Sequence, residues 1–190
     1  MTKVFAKALM ASEDVQSYVG SCRYYDDSEY AVVDDGAVVN IGDLDYDHVY
    51  SVTSLDWNVH QATAPVTGKL TREDICIVDL ADVPSGLIGG NTYKIGTKIT
   101  DLKLQAGYTA RFRRLFKGDK FWLGAGNFAA APTVGQYSTV ANGSTLFTAS
   151  TASATANQLN IKILDAKVLT QGQTVYGAPN YEQLYLCEVQ

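Results

Sequence analysis

The sequence predicts a mainly β protein: an antiparallel β-barrel or β-sandwich with long loops and an N-terminal segment that can be read as an extended arm. Short runs with period-2 alternation recur about every 8–12 residues with turn residues between them, the spacing of an antiparallel barrel or sandwich. Long amphipathic helical patterns are nearly absent. Twelve tyrosines suit half-exposed sheet surface, which favours aromatic and β-branched side chains. With 190 residues, 46% of them hydrophobic and 18% charged, the chain can bury one sizeable core, or two small ones, without covalent staples.

In chain order, Ser12-Glu13-Asp14-Val15 offers the start of a short helix, and residues 2–10 ahead of it are equally compatible with an extended arm that reaches a neighbour. Strands are expected over 30–33, 37–41, 48–53, 75–80, 92–95 and 102–104, then over 109–116, 120–123, 136–140, 145–148, 159–164 and 184–189. Asp34-Asp35-Gly36 and Asn142-Gly143 each supply the positive φ of a tight hairpin turn. Thr71-Arg72-Glu73-Asp74 has a cap-like Thr followed by acids, but the apolar run Ile75-Cys76-Ile77-Val78 limits it to one turn. Arg111-Phe112-Arg113-Arg114-Leu115-Phe116-Lys117 sets cations against apolar groups. Gly118-Asp119 then reads as the hairpin turn into Lys120-Phe121-Trp122-Leu123, with Trp122 buried and the cations of the first strand forming an exposed face. Residues 139–157, uncharged and rich in Ala, Ser, Thr and Asn, read as a low-complexity surface loop.

Charge is unevenly distributed. Residues 24–68 hold nine carboxylates and no Lys or Arg, whereas residues 69–120 hold ten Lys and Arg against six acids. Breakers cluster at 82–91, so a single β-rich domain with two lobes, an acidic one at 1–82 and a β core at 92–190, is one expected organisation. Opposite patches on one small protein suit contacts between neighbours in an assembly, since complementary charge steers encounter and sets register.

No stretch has the roughly 18 apolar residues of a membrane span, and the first residues lack the continuous apolar segment of a secretion signal. Three cysteines, Cys22, Cys76 and Cys187, at no metal-ligand spacing read as reduced, buried small hydrophobes. Asn142-Gly143-Ser144 matches a glycosylation sequon and is read as a turn.

The motifs of chemistry are incomplete. Asp43, Asp45 and Asp47 alternate as in a calcium loop, but His48 stands where glycine is required and Ser54 where the bidentate glutamate belongs. On a strand the same spacing places the three carboxylates on one solvent face, with Leu44 and Tyr46 inward. His48 and His60 have no Cys nearby to complete a zinc set. Gly86-Leu87-Ile88-Gly89-Gly90 and Gly124-Ala125-Gly126 lack a phosphate-loop lysine and read as turns. No nucleophile elbow occurs. No catalytic residue, cofactor or metal is expected. Aromatics interleaved with Arg111–Lys120 resemble a nucleic-acid groove, but the net charge of −5 disfavours direct binding to phosphates.

The succession Ala106-Gly107-Tyr108-Thr109-Ala110-Arg111-Phe112-Arg113-Arg114-Leu115, Gly118-Asp119-Lys120-Phe121-Trp122-Leu123-Gly124-Ala125-Gly126-Asn127-Phe128 and Pro132-Thr133-Val134-Gly135-Gln136-Tyr137 resembles small structural proteins of tailed bacteriophages. The resemblance is to the capsid auxiliary proteins, called decoration or cement proteins. It extends over residues 100–190, including the ending Tyr185-Leu186-Cys187-Glu188-Val189. It implies a non-enzymatic virion protein, made in the host bacterial cytoplasm, that binds the major capsid protein shell as a dimer or trimer, without membrane contact. Candidate capsid or subunit contacts are Arg111, Arg113, Arg114 and Lys117 on the basic side and Asp43, Asp45 and Asp47 on the acidic side. Reversing the three arginines to Glu is expected to weaken capsid occupancy without unfolding the protein. The alternatives are a carbohydrate- or host-receptor-binding module that uses Trp57 or Trp122 as a platform, and a tail-tube or connector subunit.

Overall fold

The computed structural model describes residues 3–45, 58–80, 87–88, 91–92, 103–150, 158–173 and 179–190. The strands are β1 (Phe5–Leu9), β2 (Val19–Asp26), β3 (Glu29–Tyr30), β4 (Val33–Asp34), β5 (Val38–Leu44), β6 (Val59–Thr63), β7 (Ile75–Asp79), β8 (Leu87–Ile88), β9 (Asn91–Thr92), β10 (Lys103–Leu104), β11 (Ala110–Arg114), β12 (Lys120–Gly124), β13 (Tyr137–Val140), β14 (Phe147–Ser150), β15 (Asn160–Gln173) and β16 (Pro179–Val189). One four-residue helix, α1 (Ala11–Asp14), follows β1. No described helix is long and apolar enough to cross a membrane.

Two six-stranded sheets organise these elements. The first has the order β1-β12-β16-β15-β13-β14 and the second β11-β7-β5-β6-β2-β3. The architecture is mainly β and sandwich-like, and the described strands pair antiparallel except for β2 and β6, which run parallel. Because β11 pairs with both β7 and β2, the second sheet curls back on itself.

Alternation along β7 and β5 explains the two cores. Ile75, Ile77 and Val38 join Phe5, Phe121, Leu123, Phe147, Ile161, Ile163 and Cys187 in one apolar cluster, which draws on both sheets. Their immediate neighbours Cys76, Val78 and Val39 point the other way, into a second cluster with Cys22, Ala62, Ala110 and Phe112. The second sheet is therefore apolar on both faces, and β7 is buried at every position. Each large apolar side chain so buried contributes roughly 1.5–3 kcal/mol. Gly20 is part of this packing: it lies opposite Phe112 in the ladder, and a Cβ there would come within 2.4 Å of the ring.

Several expectations from the sequence require correction. Gly118-Asp119 is a turn, with Gly118 at φ +90 and the Asp119 amide donating to the Phe116 carbonyl at 3.0 Å. It joins no hairpin, because β11 belongs to the second sheet and β12 to the first. Likewise Gly36 turns at φ +72, but β4 pairs with β10 while β5 pairs with β6 and β7. Turn chemistry reverses the chain locally, and which strand then becomes a neighbour is decided by where apolar faces can be buried. At Asn142-Gly143 the two agree, since β13 and β14 pair across the turn. The supposed loop over 139–157 is thus hairpin as far as Ser150, and its remainder lies outside the described residues.

The N-terminal arm is also corrected. Phe5–Leu9 is an edge strand of the chain's own first sheet, with Phe5 opposite Leu123 and only 1% exposed. The boundary near residues 82–91 does not separate the sheets, because β1 lies in the first and β11 in the second. Strands β2 and β6 and the outer half of β15 were absent from the expected set. The expected strand at 48–53 falls outside the described residues.

Candidate interaction surfaces

The basic strand does not present a cationic face. On β11, Phe112 enters the second core, which directs Arg111 and Arg113 to the opposite side. There they meet Asp79, the continuation of the Ile75 and Ile77 face of β7. Arg113 Nε and Arg111 Nη2 both donate to Asp79 Oδ2, at 2.5 and 3.0 Å. Arg113 Nη1 also donates to the Ser12 carbonyl and hydroxyl at 3.1 and 3.2 Å. The Arg113 and Asp79 side chains are 5% and 0% exposed, while Arg111 keeps 30%. Only Arg114 and Lys117 of the predicted cations are fully at the surface. Lys117 lines a cleft of about 530 Å³ with Thr71, Arg72, Glu73, Gln158 and Gln190.

The acidic site is divided in the same way. Asp43 is exposed, Asp45 is buried and Leu44 is half-buried, so the expected solvent face of carboxylates is not formed. A register shift between Ile41 and Leu44 on β5 changes the alternation and turns Asp45 inward. Its carboxylate accepts from Arg23 Nη1 at 3.1 Å, Tyr25 Oη at 3.0 Å and Tyr30 Oη at 3.3 Å. Burial opposes its ionisation, but the hydrogen bonds from Arg23 and Tyr25 outweigh it and hold the carboxyl below its ordinary value. Burial, followed by the bonds to Tyr30 and Asp45, raises the Tyr25 hydroxyl. Asp47 lies outside the described residues, as do His48 and Trp57.

Four polar residues that sequence reasoning passed over carry much of the internal wiring. Asp35, fully buried, accepts from the Phe5 and Leu80 amides at 2.8 Å each, tying β1 to the end of β7. Burial pushes its carboxyl up to about 7, against the pull of amide donors from Leu80, Phe5 and Gly36. Asn127 accepts from the Val4 amide and donates to the Asp35 carbonyl. Asp119 accepts from the Ala11 and Phe116 amides. Asn40 donates to the Lys69 and Asp74 carbonyls and accepts from the Val66 amide, organising the connection from β6 to β7. A usable signal was present for Asp35 and Asp119, which flank turn glycines, as side-chain acceptors for loop amides.

The aromatic platform also differs from expectation. Phe121 and Leu123 are buried, whereas Trp122 lies on the opposite face of β12 and is half-buried. Lys167 Nζ stands 5.0 Å from its ring centroid, a cation–π contact that occupies part of the ring surface. His60 Nδ1 lies 3.0 Å from the Gly42 carbonyl, and the ring meets Phe112 edge-on. Cys22, Cys76 and Cys187 are buried and free. Burial pushes the Cys22 and Cys76 thiols up to about 12 and raises that of Cys187 as well. Among the described residues no three His, Cys, Asp or Glu side chains gather to hold a metal ion.

An exposed apolar surface lies on the long ribbon of β15 and β16. β13 pairs only with Asn160–Lys162 of β15, and β12 only with Leu184–Glu188 of β16. Pairing between β15 and β16 continues past these limits to Gln173 and Pro179, so the outer part is a two-stranded ribbon among the described elements. Tyr185, opposite Ala166, belongs to the core. Along the same face Val168 is opposite Gln183 and Tyr181 opposite Thr170, and Val168 and Tyr181 are 60% and 64% exposed. The core-facing side of the sheet thus emerges into solvent. No protein-family model matches the chain, and neither a curated protein nor a solved structure shows significant similarity to it.

Proposed function

We propose that this chain is a non-enzymatic structural protein of a tailed-bacteriophage virion, a decoration or cement protein that binds the major capsid protein shell and stabilises it. The observation that carries this reading is the β15–β16 ribbon, which lies within the stretch that resembles such proteins and exposes Val168 and Tyr181. An isolated two-stranded ribbon is marginally stable in water, so docking on a partner surface would add stability where it is weakest. The conspicuous charged side chains leave the contact role to that ribbon, because Asp79, Arg113, Asp45 and Arg23 are engaged in holding strands together. A cement protein can act through many modest contacts, since a copy held at one subunit meets the next at high effective concentration.

Co-sedimentation of the purified chain with capsid shells lacking it tests this. Saturable binding is expected, and the double substitution Val168→Asp and Tyr181→Asp should lower occupancy at least about tenfold, as for loss of interface anchors. Failure of the unmodified chain to co-sediment would refute the capsid reading. Binding that is unaffected by the double substitution would remove the ribbon from the interface.

A further inference from the structure

A second cleft, of about 510 Å³, is bordered by the β2–β3 hairpin and β6 of the second sheet and by the Asn142-Gly143 turn of the first. The turn is fastened to the chain that follows β6: the Thr67 amide donates to Asn142 Oδ1 at 2.8 Å and the Gly143 amide to the Pro65 carbonyl at 2.7 Å. With its oxygen committed, Asn142 has its Nδ2 donors left to offer, and these have no partner among the described residues. Asp26 and Asp27 on the hairpin are exposed and Gln61 on β6 is half-buried. Among the described residues no ion pair or hydrogen bond engages any of these three side chains. Val66, 42% exposed, adds an apolar patch to the same cleft.

From this arrangement we infer that the cleft binds a neutral saccharide. Ionised Asp26 and Asp27 can only accept hydrogen bonds, and Asn142, its oxygen already bonded, can only donate. A cationic ligand would satisfy the carboxylates but meet the Asn142 donors with donors of its own, and an anionic one would be repelled by the carboxylates. A hydroxyl both donates and accepts, so a polyhydroxyl ligand without charge answers every group in the cleft. Adjacent hydroxyls on one sugar ring can donate to the two oxygens of one carboxylate, a third can accept from Asn142, and the apolar C–H face of the ring suits Val66. The volume falls within the roughly 300–1,000 Å³ of small-molecule sites. Among the described residues no three His, Cys, Asp or Glu side chains gather to favour a metal ion there instead. Trp122 is not part of this site, and the cleft shares no residue with the β15–β16 ribbon. The inference therefore stands or falls separately from the capsid reading.

The test is saturation-transfer NMR of the full chain with the methyl glycosides of glucose, galactose, mannose and N-acetylglucosamine. At least one glycoside should give a saturable signal with a Kd on the order of 1 mM, as for a small ligand in a cleft open to solvent. Asp27 lies at φ +47, a conformation that Asn also tolerates, so Asp27→Asn removes the charged acceptor without disturbing the turn. Asp27→Asn combined with Gln61→Ala should weaken binding roughly tenfold or more, the effect of losing hydrogen bonds to a charged group. Asp43→Asn removes an exposed carboxylate outside the cleft and should leave binding unchanged. Circular dichroism should match that of the unmodified chain in each variant; should the double variant fail to fold, Asp27→Asn alone decides. Silence from all the glycosides would overturn the inference, as would binding that the cleft variants leave at its unmodified strength. A tetralysine peptide that binds through Asp27 where no glycoside does would also overturn it, and would make the cleft a docking point for a basic protein segment.

Discussion

Strand β11 and the outer ribbon of β15 and β16 reverse the roles their sequences suggest. The arginines of β11 have the composition of a contact surface, yet Arg113 is as buried as a core residue and forms part of a shared ion pair at the end of the sandwich. The ribbon carries Val168, Leu169, Tyr181 and Leu184 among polar residues, the composition of an ordinary half-buried strand. Beyond Tyr185, however, Val168 and Tyr181 are largely exposed. Alternation identifies which side chains share a face. It does not say what covers that face, because the covering element comes from elsewhere in the chain.

Deleting the partner of Arg113 should break this contrast most severely. Asp79→Ala would leave a buried guanidinium without its carboxylate, and we expect a loss of about 3–5 kcal/mol in urea unfolding. Arg114→Glu, one residue along the same strand but exposed, should change stability by less than about 0.5 kcal/mol. The expectation that Arg111, Arg113 and Arg114 can be reversed together without unfolding is accordingly withdrawn. If Asp79→Ala and Arg114→Glu prove equally mild, β11 is a surface strand after all.

The buried carboxylates sharpen the same point through pH. Asp35 has a folded value of about 7 against an ordinary 3.8, so its folded form binds a proton that the unfolded chain has released. Its contribution to stability is full below the ordinary value and is lost as pH rises toward 7. Asp45, held low, contributes in the opposite sense: its share is present above the ordinary value and is lost as pH falls through the lower folded value. Urea midpoints at a series of pH values should therefore show a decline between about pH 4 and 7 that Asp35→Asn flattens. An unaltered slope in that variant would assign the decline to another group.

The smallest effect is expected at the ribbon. Val168→Ser and Tyr181→Ser should each shift stability by less than about 0.5 kcal/mol, as exposed substitutions usually do. Phe121→Ala, in the core of the same sheet, should cost about 3–5 kcal/mol. A large thermal shift at Val168 would show that the ribbon face is covered within the chain and is not a contact surface.

The legible part of the fold was the part encoded locally. Ile75 to Val78, Lys120 to Leu123 and the Asn142-Gly143 turn announce their conformations through neighbouring residues alone. Strand β2 was missed because Gly20 and Arg23 interrupt its apolar pattern, and both make sense only against distant partners: Phe112 across the ladder and Asp45 on β5. The candidate contacts suffered likewise. Arg114, Lys117 and Asp43 are exposed as read, whereas Arg113 and Asp45 were misplaced, one by a facing strand and one by a bulge.

Period-2 alternation, glycine turns and composition were enough to establish a mainly β chain, most of its central strands and the unequal distribution of charge. These are short-range consequences of side-chain volume and backbone freedom. The docking of the N-terminal strand against β12, the separation of β11 from β12 into different sheets and the burial of Arg113 on Asp79 required the folded molecule. Each depends on the free energy of bringing together groups 30 or more residues apart, and that gain is set by complementary faces that no local pattern specifies.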